Sequence, residues 1–365
     1  MINYLVKRDF ADTMEPLLFE WTDSLANRFR FIHYEELPDL RAIPAGTIIF
    51  ADVERLSPSE TELAAAVRDL SVSQLPETPI LNDPERTLRR FDLLDRLHKE
   101  KFNTFRAYRL TDTTVPERFP VFLRYESDHT GAMYGLLPDQ TAVDTAIVRA
   151  MIRGHRLSNL LMVEFVDTSS DDGLYRKYAA YIVGDRIIPA DVIVEHDWHV
   201  KGNGIGAQDL VDAELDYIGA DPHASQLKEI ADLANVQYGR IDYALTDNRV
   251  VTWEINTNPF ILWTKERVPW WMRPKLEHFI PALIDAFIAV DAQPTDGELS
   301  LAEVDPDLRE RARGRAAQHG SGPARRFGQQ YKRLLDPAVD VVEALAVPFR
   351  RQIIGAWKRT NSNQQ

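Results

Sequence analysis

Two alternating runs joined by a polar break constrain this chain more than any other stretch. Gly239-Arg240-Ile241-Asp242-Tyr243-Ala244-Leu245 puts Ile241, Tyr243 and Leu245 on one face. Val250-Val251-Thr252-Trp253-Glu254-Ile255-Asn256 puts Val251, Trp253 and Ile255 on one face. Period-two alternation reads as strand, and the polar Thr246-Asp247-Asn248-Arg249 between the runs makes an antiparallel hairpin. Both apolar faces must meet the same core, because a one-residue slip turns a whole strand over. The register that achieves this sets Leu245 opposite Val251, Tyr243 opposite Trp253 and Ile241 opposite Ile255. Asp242 then stands opposite Glu254, with Asn256 two residues on and on the same face. Directly opposed residues hold their Cβ atoms only about 4.5–5.5 Å apart. Two carboxylates that close repel unless a proton or cation lies between them. Two carboxylates and an amide oxygen are hard donors of the type Mg²⁺ prefers. The competing reading is an ordinary exposed hairpin with two solvated acids.

The second strand continues as Trp253-Glu254-Ile255-Asn256-Thr257-Asn258-Pro259. This closely resembles the C-terminal metal motif of the ATP-grasp superfamily, in which a strand ends in Glu-x-Asn and its partner strand carries an Asp. Glutathione synthetases, D-alanine–D-alanine ligases and ribosomal-protein glutamate ligases are members. Phe260 departs from the pattern, since many members have Gly there. The resemblance implies an α/β (α+β) chain of three parts. Residues 1–85 would be an N-terminal α/β domain and 86–294 the ATP-grasp domain, in two subdomains of about 86–185 and 186–294. Residues 295–365 would be a basic linker and helical tail.

Composition narrows the function classes. The chain has 365 residues, 44% hydrophobic, enough to bury a substantial core in more than one domain. A formal net charge of −13 disfavours generic nucleic-acid or anionic-membrane binding. The absence of cysteine excludes disulfides, thiolate metal sites and a Cys nucleophile. No apolar run approaches the roughly 20 residues of a membrane span. The N-terminus is too short in apolar residues and too charged for a signal peptide, so the expectation is a cytoplasmic protein.

Along the chain, residues 1–85 suggest strands at 2–6, 29–34, 46–51 and 78–82, and helices at 15–27 and 60–69. Such alternation favours a parallel sheet. No glycine fingerprint follows the first strand, which argues against a dinucleotide domain. A helix is expected over 84–101, then a buried strand over 119–125, a helix over 141–156 and a buried strand over 160–166. The segments 178–183 and 186–194 read as a hairpin about Gly184-Asp185. Helices are expected over 223–235 and 276–290, and a linker over 293–297. From Asp305 onward there are roughly a dozen Lys and Arg against about half as many acids. Residues 311–326 read as disordered or loosely helical, and 336–357 as an amphipathic helix. This tail either packs on its own acidic body or docks a partner, a second copy or a membrane surface.

The resemblance also places residues. In the superfamily a Lys preceding the first of these buried strands touches nucleotide phosphates; Arg90 falls nearest that position. A second phosphate-binding Lys ends that strand, where this chain has Arg124. An Arg stays charged and forks onto phosphate oxygens. The following loop holds His129, a candidate for the γ-phosphate, but it has few glycines to cradle phosphate. Glu164 and Val166 correspond to the hinge whose backbone pairs with adenine, and Lys177 is placed to reach phosphate or ribose. The implied cofactors are ATP and one or two Mg²⁺, with Mn²⁺ as a substitute, held between the two subdomains by Asp242, Glu254 and Asn256. The implied reaction activates a small-molecule or peptide carboxylate as an acylphosphate, which an amine then attacks. Arg240 and Arg124 are the candidate catalytic cations, Arg240 facing the substrate carboxylate or acylphosphate. Such chemistry needs positioning and charge stabilisation more than a protein nucleophile. A kinase of the same fold or a nucleotide-binding protein without catalysis remains the alternative.

Overall fold

The structure, a computed structural model, describes residues 1–128, 131–200, 204–205, 208–269, 272–291, 297–319 and 346–361. The chain begins with β1 (Ile2–Val6), β2 (Phe29–His33), β3 (Ala42–Pro44), β4 (Thr47–Phe50), α1 (Pro58–Gln74) and β5 (Ile80–Leu81). It continues through α2 (Arg90–Lys99), β6 (Ala107–Arg109), β7 (Val121–Tyr125), α3 (Gln140–Ile152) and β8 (Leu160–Glu164). Then come β9 (Tyr175–Val183), β10 (Arg186–Glu195), α4 (Gln208–Ala220), α5 (Ala224–Ala234), β11 (Tyr238–Thr246) and β12 (Arg249–Asn256). α6 (Arg273–Val290), β13 (Glu298–Ser300), α7 (Pro306–His319) and α8 (Arg350–Asn361) complete it.

These elements form two units. Residues 1–89 with 168–320 make one, and 90–167 with 321–365 the other. The division differs from the expected segments because the two larger sheets of the chain share one core. The first, ordered β2-β1-β4-β5, is wholly parallel. The second, ordered β10-β9-β11-β12, is antiparallel. β1 explains the arrangement, since all five of its residues are buried. Ile2, Tyr4 and Val6 enter a core with Tyr181, Tyr238, Leu283 and Phe287 from the second sheet and α6. Leu5 enters the opposite core with Phe50, Leu63 and Val67. A strand covered on both faces reads as a continuous apolar run, the habit of parallel sheets. Each fully buried Ile or Leu adds about 1.5–3 kcal/mol. α1 starts at a reciprocal cap, in which Ser57 and Glu60 satisfy each other's backbone N–H groups.

The smaller unit is an antiparallel sheet, β6-β8-β7, with α3 and α8 in its core through Val143, Ile147 and Ile354. The helix expected over 15–27 does not form. A 3₁₀ stretch at Arg8–Thr13, a π-turn at Leu17–Trp21 and a 3₁₀ turn at Ala26–Arg28 replace it. Pro16 donates no N–H, and Thr22 Oγ1 accepts the Ser24 amide at 3.1 Å, a local bond that competes with helix continuation.

The described parts of the basic tail pack on the chain itself. In α7, Arg311 pairs with Glu62 at 2.8 Å and Arg313 with Asp39 at 2.7 Å, while Leu308 and Ala312 are buried. Residues 311–319, expected as disordered or loosely helical, thus belong to a regular helix; 320–345 and most of the 293–297 linker lie outside the described residues. Among the described residues no helix is long and apolar enough to cross a membrane.

Candidate functional site

The hairpin β11–β12 pairs Ile241 with Ile255 and Asp242 with Glu254, the register set by the apolar faces. Nearer the turn the pairing departs from that register. Tyr243 pairs with Thr252, Ala244 with Val251 and Leu245 with Val250, and Trp253 is the extra residue of a β-bulge. The cause is the turn. Asp247 and Asn248 both take left-handed conformations, φ 50° and 60°, so they alone form a two-residue connection and Thr246 pairs with Arg249. The bulge absorbs the shift before it reaches the acids.

Across the sheet one row runs Asp191, Ala179, Asp242, Glu254, and the next holds Tyr181, Arg240 and Asn256. Side chains of these two rows share a face. Asp242, Glu254 and Asn256 are all buried, at 5%, 9% and 8% exposure. Arg240 Nε donates to Asp242 Oδ1 at 2.8 Å and a terminal guanidinium nitrogen to Oδ2 at 3.2 Å. Lys177 Nζ lies 3.4 Å from Oδ2. Burial alone would lower the Arg240 pKa, but Asp242, Tyr181 and Asp191 overcompensate and raise it above its ordinary value. Asn256 Oδ1 accepts the Asn258 amide at 2.9 Å, which leaves this oxygen a second lone pair. Gly239 is required here, because a Cβ at that position would meet the Asn256 carbonyl oxygen at 2.7 Å.

Among the described residues no group of three or more His, Cys, Asp or Glu is arranged to hold a metal. The donor set is instead two opposed carboxylates and one amide, and it fits a hard divalent ion that takes oxygen ligands. Around Asp242 the positive charge present is that of Arg240 and Lys177.

A cavity of about 270 Å³ opens beside Arg240, walled by Val194, Leu262, Leu276 and Phe279. Its other polar groups form a network absent from the sequence reading. Lys275, from the first turn of α6, binds Asp191 and lies 2.9 Å from Glu214 on α4. Glu214 also accepts the Val192 amide at 2.8 Å. Burial works against the Lys275 charge, yet Asp191 and Glu214 raise its pKa. Burial would raise Asp191, but Lys275 pulls it below its ordinary value. For Glu214 burial prevails over Lys275, and its pKa rises.

The residues after β12 are anchored as well. Asn258 donates to Asp52 at 3.0 Å and to the Phe10 carbonyl at 2.9 Å, and accepts from Tyr4 at 2.8 Å and Thr13 at 2.7 Å. Thr257 accepts the Val53 amide at 3.0 Å and bonds Glu54. The Asn-Thr-Asn run thus ends β12 and fastens it to the loops beyond β4. Burial raises Asp52 to about 6 against the opposing pull of Arg55. An Asp closing a strand of apolar residues was the sequence signal for this web.

In the smaller unit the expected nucleotide residues are placed as follows. Arg90 is buried, and one guanidinium nitrogen donates to the carbonyls of Tyr125, Glu126 and Asp128, each at 2.7 Å. It clasps the loop after β7. Arg124 is buried in β7 opposite Leu161. The Glu164 carboxylate is enclosed by Tyr108 at 2.8 Å and Arg118 at 2.9 Å. Its backbone N–H donates to the Arg106 carbonyl at 3.0 Å, so that donor is committed to the sheet. Val166 follows β8 and is half-buried. His129 lies outside the described residues.

No family model and no curated protein matches the chain. Among solved structures it is similar to D-alanine–D-alanine ligase from Bacillus anthracis complexed with ATP, at 11% identity and TM-score 0.46, over 79% of this chain and 96% of that one. It is similar to the ATP-grasp ligase PsnB complexed with a minimal precursor, at 13% identity and TM-score 0.45, over 79% and 99%. A RimK domain ATP-grasp protein from Sphaerobacter thermophilus is similar at 13% identity and TM-score 0.42, over 79% and 100%.

Proposed function

We propose that this chain is an ATP- and Mg²⁺-dependent ligase that joins a carboxylate to an amine through an acylphosphate and releases ADP and phosphate. The observation that carries the reading is Asp242 buried opposite Glu254, with Asn256 beside them and Arg240 on the same face. Two opposed buried carboxylates are costly unless a cation is part of their design.

In this reading Asp242, Glu254 and Asn256 would hold Mg²⁺, which would supply positive charge to the triphosphate. Arg240 stands beside that donor set, bonded to Asp242. Its guanidinium serves the substrate carboxylate, and later the acylphosphate oxygens, at the mouth of the 270 Å³ cavity. Lys177, at the edge of the same face, serves the phosphates. In the smaller unit Arg124 is the assigned phosphate cation, and Arg90 acts through the loop it clasps. Val166 offers the backbone edge for adenine.

Incubation of the protein with ATP, Mg²⁺ and a panel of carboxylates and amines tests this directly. ADP together with an amide is the expected outcome. ADP with a phosphoester makes the chain a kinase on the same metal site, and failure to bind nucleotide removes both readings.

A further inference from the structure

The segment that follows β12 borders two spaces. One is the cavity at Arg240. The other is an open groove of about 480 Å³, with residues 12–20 along one wall and 260–267 along the other. Phe260 and Trp263 line both.

Phe19, Phe260 and Trp263 are 67%, 42% and 44% exposed, and all three gather in the groove. Isolated exposed apolar residues are ordinary, whereas a cluster on one rim marks a binding surface. The Phe260 and Trp263 rings meet edge to face at 5.5 Å. Asp12, Glu15 and Glu20 stand among these rings, with Arg267 the cation of the lining. Glu20 is used internally, accepting the Lys265 amide at 2.8 Å. Asp12 and Glu15 enter no ion pair among the described residues. The walls are tied before any ligand arrives. Trp21 Nε1 donates to the Trp263 carbonyl at 2.8 Å, Ile261 N–H to the Thr13 carbonyl at 3.3 Å, and the Tyr181 hydroxyl to the Phe260 carbonyl at 2.8 Å. A preformed surface spends little of its binding energy on ordering itself.

We propose that this groove docks a cationic peptide segment bearing aromatic or aliphatic side chains, and that the segment leads its reacting end past Phe260 and Trp263 toward Arg240. The docking stands on the groove alone; the second half rests on the ligase reading. Aromatic faces and carboxylates together select Lys or Arg side chains, the rings through cation–π contact and the acids through charge. The net charge of −13 steers the same class of partner from a distance. Two spaces sharing two aromatic walls suit an extended chain better than a single small amine.

The test uses the full chain and a fluorescein-labelled peptide of about a dozen residues alternating Lys with Leu or Phe, a length that spans a groove of this kind when extended. Its Glu-for-Lys counterpart is the control. Fluorescence anisotropy should show binding of the Lys peptide alone, weakening as salt rises. The double variant Asp12→Lys with Glu15→Lys should weaken it by about tenfold or more, the scale of one or two lost charge contacts. Both side chains are exposed, so the variant's thermal unfolding should match the parent. Equal binding of the Glu peptide, or undiminished binding by the variant, overturns the proposal. Binding of a fluorescent ATP analogue by the same samples separates the two ideas. Peptide binding without nucleotide binding leaves the docking surface and removes the ligase; nucleotide binding without selective peptide binding does the reverse.

Discussion

Two buried ion clusters sit on one face of the same antiparallel sheet, and they are built differently. At Lys275 one ammonium lies between two carboxylates, Asp191 and Glu214, drawn from three separate elements. At Asp242 two cations converge on one carboxylate while a second, Glu254, stands opposite on the next strand. The first is a tightly paired knot, in which Lys275 and Glu214 are almost wholly out of water while Asp191 is a quarter exposed at the cavity wall. The second is more open. Lys177 and Arg240 are each partly exposed, and on the proposed reading Asp242 would also face an ion. On the proposed reading, the difference separates a cluster that holds the sheet, α4 and α6 together from one that would hold a reagent.

The largest expected effect breaks the first cluster. Lys275→Met leaves two carboxylates facing each other without their cation, and removing one partner of a buried pair costs about 3–5 kcal/mol. Urea unfolding should show that loss, while nucleotide binding persists wherever the variant is folded. If it instead loses activity at unchanged stability, the two clusters are not distinct in kind.

Asp242→Asn and Glu254→Gln make the converse cut. Asp242→Asn takes away the carboxylate that Arg240 and Lys177 pair with and should cost stability, whereas Glu254→Gln removes the charge opposed to it; in both, Mg²⁺-dependent ATP turnover should fall by about 100-fold or more through loss of a proposed metal ligand. Turnover at the parental rate takes these residues out of the site. Gly239→Ala tests the same strand from its backbone. The new methyl meets the Asn256 carbonyl, and overpacking of this kind costs about 1–3 kcal/mol. Titration with Mg²⁺ should show weaker binding as Asn256 shifts, whereas Lys275→Met should leave ion affinity in place.

The same contrast explains what was legible in the sequence. The Asp242–Glu254 pairing follows from Ile241 and Ile255, adjacent apolar residues whose common burial fixes local register. The turn end did not follow, because Asp247-Asn248 form a tighter connection than their polar flanks suggest, and only the bulge at Trp253 reconciles it with the strand. The Lys275 cluster could not be read at all. Its lysine is 61 residues from Glu214 and 84 from Asp191, and Asp191 reaches this face only after a register shift past Pro189. Arg90 was legible as a cation ahead of β7, but no local pattern reveals that its guanidinium faces three carbonyls. The division into units was hidden for a related reason. The alternation of Ile2, Tyr4 and Val6 marks a buried face without naming Tyr238 as what covers it.

Asp52 gives the most selective effect, because it joins β12 to the parallel sheet without touching a proposed ligand. Burial raises its pKa from 3.8 to about 6, so between those values the folded chain binds a proton that the unfolded chain has released. Stability attributable to this carboxyl is therefore greatest at the acid end of the window, falls as pH rises toward 6, and is level above it. Asp52→Asn keeps the shape and cannot ionise. Its stability relative to the parent should rise from about pH 4 to about pH 6 and then stay constant, the course that the carboxyl's own proton uptake dictates. Denaturant midpoints for both proteins at stepped pH would show this. A difference that is flat across the window would mean that the bonds from Lys7, Asn258 and Arg55 hold Asp52 ionised throughout, making it an anchor as fixed as the Lys275 knot.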